Sequence, residues 1–89
     1  MGQAQMTIEQ IREEIRMRVA ELTERDPSEI SDTARFVEDL DIDSLIAIEL
    51  MVTLDKEYKI DIAEEEFRNI KNVSEAVDIV VAYLEKETA

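Results

Sequence analysis

The chain has 89 residues, a formal net charge of −13, and 45% hydrophobic and 37% charged residues, which suits one small folded domain. Cysteine and histidine are absent, which excludes a disulfide framework, a thiolate zinc site and the commonest general base. Glycine and proline occur once each, so there is no glycine-rich phosphate loop, and an all-α fold is expected rather than an all-β one.

The apolar spacing predicts a four-helix bundle with a long loop between helices one and two and a short third helix. Helix one covers residues 7–24 and opens with a capping box, Thr7 and Gln10. A single turn is expected at residues 26–29, where proline stands at the first helical position. The other predicted helices are residues 44–58, 62–69 and 73–86. Four apolar side chains are expected to pin the loop 25–43 onto the core: Ile30, Phe36, Val37 and Leu40.

The central helix has a broad apolar arc, which indicates packing on two sides. The arc contains Ala47, Ile48, Met51, Val52, Leu54 and Tyr58. Asp55 falls within this arc, and Ile46 falls in the polar sector near Glu49. An exposed isoleucine there indicates a contact surface. The alternative is that the helix rolls, or the preceding loop folds over it, so that Ile46 is buried within the domain.

Negative charge is concentrated in residues 26–66, which hold 14 acidic and 3 basic residues, a net of −11. Such a surface repels nucleic acid and anionic lipid and attracts basic protein surfaces. Residues 1–6 have no charge or apolar core typical of a signal peptide, and we expect a disordered N-terminus or an expression remnant there. No apolar run is long enough to span a bilayer. A cytoplasmic protein is predicted.

Ser44 stands where the long loop becomes the central helix. Ser44 or Asp43 could simply cap that helix, but a hydroxyl at this position is also exposed, and the adjacent N–H groups favour a phosphate. With no histidine to activate it, Ser44 suits modification better than catalysis, and no catalytic residue is assigned. Asp39, Asp41 and Asp43 match part of a calcium loop, but serine and Leu50 replace the required glycine and glutamate, so no metal site is predicted.

The segment 36–45, followed by Glu49-Leu50 and by residues 58–62, closely resembles the acyl carrier proteins. The resemblance covers residues 7–86 and rests on Asp-Ser-Leu at the head of the second helix, the Phe-Val-Glu-Asp-Leu approach and the downstream Ile-x-Ile. It implies that Ser44 carries 4′-phosphopantetheine, derived from coenzyme A, through a phosphodiester. The arm's thiol would hold acyl groups as thioesters. Partner enzymes would then perform the catalysis, and this chain would not be an enzyme.

The resemblance also implies a set of docking residues. Asp43 and Leu45 would be read by the phosphopantetheinyl transferase that installs the arm, and acidic positions of the recognition helix match Glu49, Asp55 and Glu57. Ile46 joins this set because of its place in the helical pattern. The implied partners are the transferase, acyltransferases, ketosynthases and related biosynthetic enzymes with basic docking patches, approached by a monomer.

Four positions depart from the family's pattern. Asp41 replaces a common loop glycine, and we expect it to keep the left-handed turn, because aspartate tolerates that geometry. Ile46 replaces an acid, Lys56 interrupts a run of acids, and Phe67 stands where alanine is common. These departures favour polyketide or related specialised metabolism over housekeeping fatty-acid synthesis. Two other interpretations stay open: a peptidyl or aminoacyl carrier, and an acidic helical adaptor that is never modified.

Overall fold

The computed structural model describes residues 7–88 of the chain, with side chains as far as residue 86. This part contains helices and loops and no strand. The helices are α1 (Ile8–Thr23), α2 (Ser44–Tyr58), α3 (Glu64–Arg68) and α4 (Val73–Thr88), and a 3-10 turn covers Pro27–Glu29 in the first loop. The all-α fold predicted from the sequence is confirmed. The prediction for residues 1–6 lies outside the described residues.

Helix α1 begins and ends with local hydrogen bonds that its sequence specifies. The Thr7 N–H donates to Gln10 Oε1 at 2.9 Å, and the Gln10 N–H donates to Thr7 Oγ1 at 3.1 Å, which is the predicted capping box. The helix ends at Thr23, and the capping residue Glu24 adopts the left-handed region with φ 57°. Its buried side packs against α2 and α4. The buried residues of α1 are Ile11, Ile15, Val19 and Ala20.

The loop after α1 is anchored near its middle, at Asp32 and Phe36. The Phe36 N–H donates to the Lys71 carbonyl at 2.8 Å, and the Ser74 N–H donates to the Asp32 carbonyl at 3.1 Å. The Asp32 carboxylate forms ion pairs with Arg12 (3.2 Å) and with Arg16 of α1. These contacts connect the loop to α1 and to the start of α4.

Three of the four loop residues predicted to pin it are buried, and the prediction for Val37 is wrong. Ile30, Phe36 and Leu40 are buried, whereas Val37 is exposed. The reason is a helical turn within the loop, in which the N–H groups of Asp39 and Leu40 donate to the Arg35 carbonyl. In such a turn, residues four apart share a face, so Phe36 and Leu40 face the core together. Val37, which follows Phe36, points away from that face and is exposed.

The buried side of α2 differs from the predicted arc. It is the row Leu50, Leu54 and Tyr58, spaced four residues apart as on one side of a helix. Ile48 and Val52, predicted on the core side, are exposed, whereas Ile46, predicted to be exposed, is half-buried against the core. The helix is thus rotated about its axis relative to the prediction, and it packs against α1 and α4.

Helix α3 is short and is held by α4. Phe67 is buried and Ile70 is partly buried against the core. The Tyr83 hydroxyl of α4 accepts from the Ala63 N–H at 3.1 Å and donates to Glu66. Within residues 7–88, no helix is both long and apolar enough to cross a membrane.

Candidate functional site

The approach to α2 is a tight turn with a buried anchor. Asp41 has φ 57°, so the expected left-handed turn is confirmed at a position without glycine. The next residue, Ile42, is buried, and its N–H donates to the Phe36 carbonyl at 2.9 Å. These two features fix the direction in which the chain enters the helix.

Asp43 is the residue that caps α2. Its Oδ1 accepts from the Ile46 N–H at 2.9 Å, and its carbonyl accepts from the Ala47 N–H at 2.9 Å. Ser44 is therefore the first residue of the helix and not its cap, and its side chain is exposed. The helix does not need the Ser44 hydroxyl for its own stability, which leaves that oxygen available for chemistry.

The acids that precede Ser44 are partly balanced by two arginines. Arg25 lies 3.7 Å from the Asp41 carboxylate, and Arg35 lies 3.5 Å from that of Asp39. The backbone N–H of Arg35 also donates to Asp39 at 2.8 Å, and this hydrogen bond is the main reason that the pKa of Asp39 is lowered. Asp39 is thus ionised at neutral pH. Asp43, predicted as a docking residue, is exposed and acts as the cap.

Asp55 lies at the other end of α2 and is engaged within the molecule. Its Oδ1 accepts from the Ile62 N–H at 3.0 Å, which closes the connection between α2 and α3. Partial burial raises the pKa of Asp55, the Ile62 hydrogen bond acts in the opposite direction, and nearby Asp61 raises the pKa further. The structure thus gives this predicted docking residue an intramolecular role.

Glu57 is also engaged within the molecule. Its Oε1 lies 2.9 Å from Arg18 Nε of α1, and its side chain is half-buried. Next to it, the buried Tyr58 hydroxyl donates to Glu14 Oε1 at 2.8 Å. The pKa of Tyr58 is raised, first by burial and then by its bond to the Glu14 carboxylate. Sequence reasoning missed this polar contact, although Glu14 and Arg18 are four residues apart and so share a side of α1.

The exposed side of α2 is formed by a different set of residues. We call it the α2 face, and it consists of Leu45, Ile48, Glu49, Val52 and Lys56. The exposed fractions of its three apolar residues are 67% for Leu45, 42% for Ile48 and 40% for Val52. Leu45 and Glu49 were predicted as docking residues, whereas Ile48 and Val52 were predicted to face the core. Ile46, also predicted to dock, is half-buried against the core.

Comparison with known proteins gives a consistent family. The phosphopantetheine attachment site model matches residues 13–80. The chain is 38% identical over 73 residues to polyketide-8 synthase acyl carrier protein 2 of Streptomyces avermitilis, covering 82% of this chain and 84% of the relative. It is 39% identical over 74 residues to the acyl carrier protein of Rickettsia canadensis, covering 83% and 86%. The solved acyl carrier protein of Enterococcus faecalis has a similar fold, with TM-score 0.74 at 24% identity, covering 88% of this chain and 99% of that one.

A helical bundle whose second helix begins at an exposed serine, together with the match over residues 13–80, defines a phosphopantetheine carrier domain. The chain belongs to the phosphopantetheine attachment site family and, within it, to the acyl carrier proteins, which carry acyl groups on covalently attached 4′-phosphopantetheine. The resemblance drawn from Asp-Ser-Leu is confirmed, as are the predicted carrier function and cofactor.

Proposed function

We propose that Ser44 is the residue that carries the 4′-phosphopantetheine arm, on which acyl intermediates are presented to enzymes of polyketide or fatty-acid biosynthesis. The observation that carries this proposal is an exposed Ser44 at the first position of α2, directly after a separate capping residue. When attached, the arm supplies a thiol, a group that the cysteine-free sequence lacks.

The start of α2 fits a phosphodiester. The first four N–H groups of a helix lack acceptors within it. In α2, the Ile46 and Ala47 N–H groups are bound by Asp43, and the preceding N–H groups of Ser44 and Leu45 have no acceptor among the described residues. The positive end of the helix dipole also favours an anion there. The residues present therefore suit a phosphate on the Ser44 oxygen.

We extend the proposal to a monomeric carrier domain over residues 7–86 in the cytoplasm that performs no catalysis itself. A net charge of −13 opposes self-association, and the sequence has no histidine or cysteine for acid–base or nucleophilic chemistry. The partners proposed are the transferase, acyltransferases and ketosynthases. The named relatives include a polyketide synthase carrier and a carrier named only as an acyl carrier protein, so we propose an acyl carrier rather than a peptidyl one.

Mass spectrometry of the intact protein tests the attachment site. Incubation with coenzyme A and a promiscuous phosphopantetheinyl transferase should add the mass of one phosphopantetheine group. Ser44→Ala should abolish the addition. Ser74→Ala is the matched control, because Ser74 lies in the first turn of α4 and should not be modified. Addition to Ser44→Ala, or loss of addition in Ser74→Ala alone, would contradict the site, and a wild type that never gains the mass would support the unmodified adaptor.

A further inference from the structure

Helix α3 has no side-chain cap of its own. It has five residues, Glu64–Arg68, and its capping position is Ala63, whose side chain has no oxygen to accept a hydrogen bond. A helix this short is not stable by itself in water, because its few hydrogen bonds do not offset the entropy lost in forming the first turn. The ion pair between Arg68 and Glu64, at 3.0 Å, is exposed and contributes little. The rest of the fold must therefore stabilise α3.

The Tyr83 hydroxyl of α4 supplies the missing cap. It accepts from the Ala63 N–H at 3.1 Å and donates to the carboxylate of Glu66. In a capping box, the side chain of the third helical residue binds the N–H of the capping residue directly, as Gln10 binds the Thr7 N–H in α1. Glu66 is the third residue of α3, so the Tyr83 hydroxyl lies between the two groups that a capping box would join.

Tyr83 is held on the α4 side of this contact. Its side chain is half-buried, and the Lys86 ammonium, about one turn further along α4, lies 5.1 Å from the centre of its ring. Ala63 and Glu66, by contrast, are exposed. Phe67 is the residue of α3 that is buried in the core. The hydroxyl thus connects an anchored ring on α4 to the exposed first turn of α3.

We propose that the Tyr83 hydroxyl is a latch: it keeps α3 folded against α4, and its release lets α3 open as a unit while α1, α2 and α4 stay folded. The latch couples the two helices, since displacement of the last turns of α4 releases α3. The Ala63 N–H and the Glu66 carboxylate can bind water once they are released, so a local opening suffices. This device goes beyond carrying a phosphopantetheine arm and does not depend on modification of Ser44. The alternative is that burial of Phe67 alone holds α3.

Native-state hydrogen exchange of the unmodified chain, at a series of low urea concentrations, tests the latch. The Phe67 amide reports on α3, because its N–H donates to the Ala63 carbonyl at 3.0 Å. In wild type it should exchange through a local opening that depends little on urea, whereas the Leu54 amide of the core should need global unfolding. Tyr83→Phe keeps the ring and should accelerate exchange of the Phe67 amide about five- to tenfold, because two hydrogen bonds are lost and water replaces them in part. The Leu54 amide should still exchange more slowly and keep its steep urea dependence.

Two glutamates of the same turn separate the hydrogen bond from a general effect of charge. Glu66→Ala removes the acceptor of the Tyr83 hydroxyl. Glu65→Ala is the matched control, because it removes an equal charge from the same turn and leaves the Tyr83 hydrogen bonds in place. Exchange of the Phe67 amide should be about threefold faster in Glu66→Ala than in Glu65→Ala. Adding Glu66→Ala to Tyr83→Phe should have little further effect, because both remove the same hydrogen bond.

Three results would overturn the latch. The first is unchanged exchange of the Phe67 amide in Tyr83→Phe, which would show that burial of the Phe67 side chain holds α3. The second is a Phe67 amide that exchanges in wild type only through global unfolding, as the core does. The third is an equal effect of Glu66→Ala and Glu65→Ala. Local exchange of the Phe67 amide in wild type, faster in Tyr83→Phe and in Glu66→Ala than in Glu65→Ala, would support the latch.

Discussion

Tyr58→Phe should destabilise the domain by removing one hydrogen bond between α1 and α2. The Tyr58 side chain is 8% exposed, and its hydroxyl donates to Glu14 Oε1 at 2.8 Å. A bond to a charged acceptor contributes about 1.5–3 kcal/mol, and Glu14 is half-buried and can recover part of this from water. We therefore expect a loss of about 1–2 kcal/mol. For a domain of this size, that lowers the melting temperature by roughly 4–16 °C.

The same substitution should change how stability depends on pH. The pKa of Tyr58 in the folded state lies above its ordinary value of 10, so above pH 10 the unfolded chain loses this proton first. The contribution of Tyr58 to the free energy of unfolding is therefore complete below pH 10 and decreases above it, with a slope of up to about 1.4 kcal/mol per pH unit. Urea unfolding of wild type and Tyr58→Phe between pH 7 and 11 measures the difference.

Glu14→Gln is the matched variant, because it keeps an acceptor for the Tyr58 hydroxyl while removing the charge. A double-mutant cycle with Tyr58→Phe should give a coupling of about 0.5–2 kcal/mol. If Tyr58→Phe unfolded like wild type at pH 7 and kept the same alkaline decline, the Tyr58–Glu14 bond would not stabilise the fold and the reasoning would be refuted.

Four further outcomes are expected. Ile46→Asp should lower stability by about 1–3 kcal/mol, because the half-buried isoleucine packs against the core. An unchanged melting temperature would show that Ile46 does not stabilise the core and is free to contact a partner. Asp55→Asn should be within about 1 kcal/mol of wild type at pH 7, because an amide oxygen can still accept from the Ile62 N–H and the charge that burial disfavours is gone; a large loss in urea unfolding would mean that the charge is needed. Glu49→Lys should leave the melting temperature unchanged, since Glu49 is exposed, while altering the kinetics of arm transfer by the phosphopantetheinyl transferase. Unfolding of this variant would contradict the exposed position of Glu49. Moderate salt should raise the melting temperature of wild type, because the net −11 of residues 26–66 is repulsive, and a melting temperature independent of salt would show that the acids are already paired.

Features set by neighbouring residues were predictable from the sequence. The Thr7–Gln10 capping box needs only residues three apart, and the left-handed turn at Asp41 depends on one residue's own sterics. The start of α2 followed from the change from acidic loop to apolar helix. The modification candidate Ser44 therefore needed no tertiary information.

The roll of α2 and the state of its acids were not predictable, because both depend on distant residues. Apolar residues surround the first turns of α2, so periodicity alone did not show that Leu50, rather than Ile48, faces the core. Glu57 is paired with Arg18, which lies 39 residues away, and Asp55 with the backbone of Ile62. The sequence alone does not show whether an acidic side chain is already bound to a base or to a backbone N–H within the molecule.

The anchored loop has a consequence for the dynamics of the Ser44 region. Its Phe36 N–H is bonded to the Lys71 carbonyl, and Asp32 is bonded by arginines of α1. Opening the loop therefore requires breaking contacts with α1 and with the start of α4 at once, so the Phe36 and Ile42 amides should exchange with solvent nearly as slowly as those of the core helices. A serine held in this way enters a partner's active site without first losing conformational freedom, which lowers the entropic cost of each encounter.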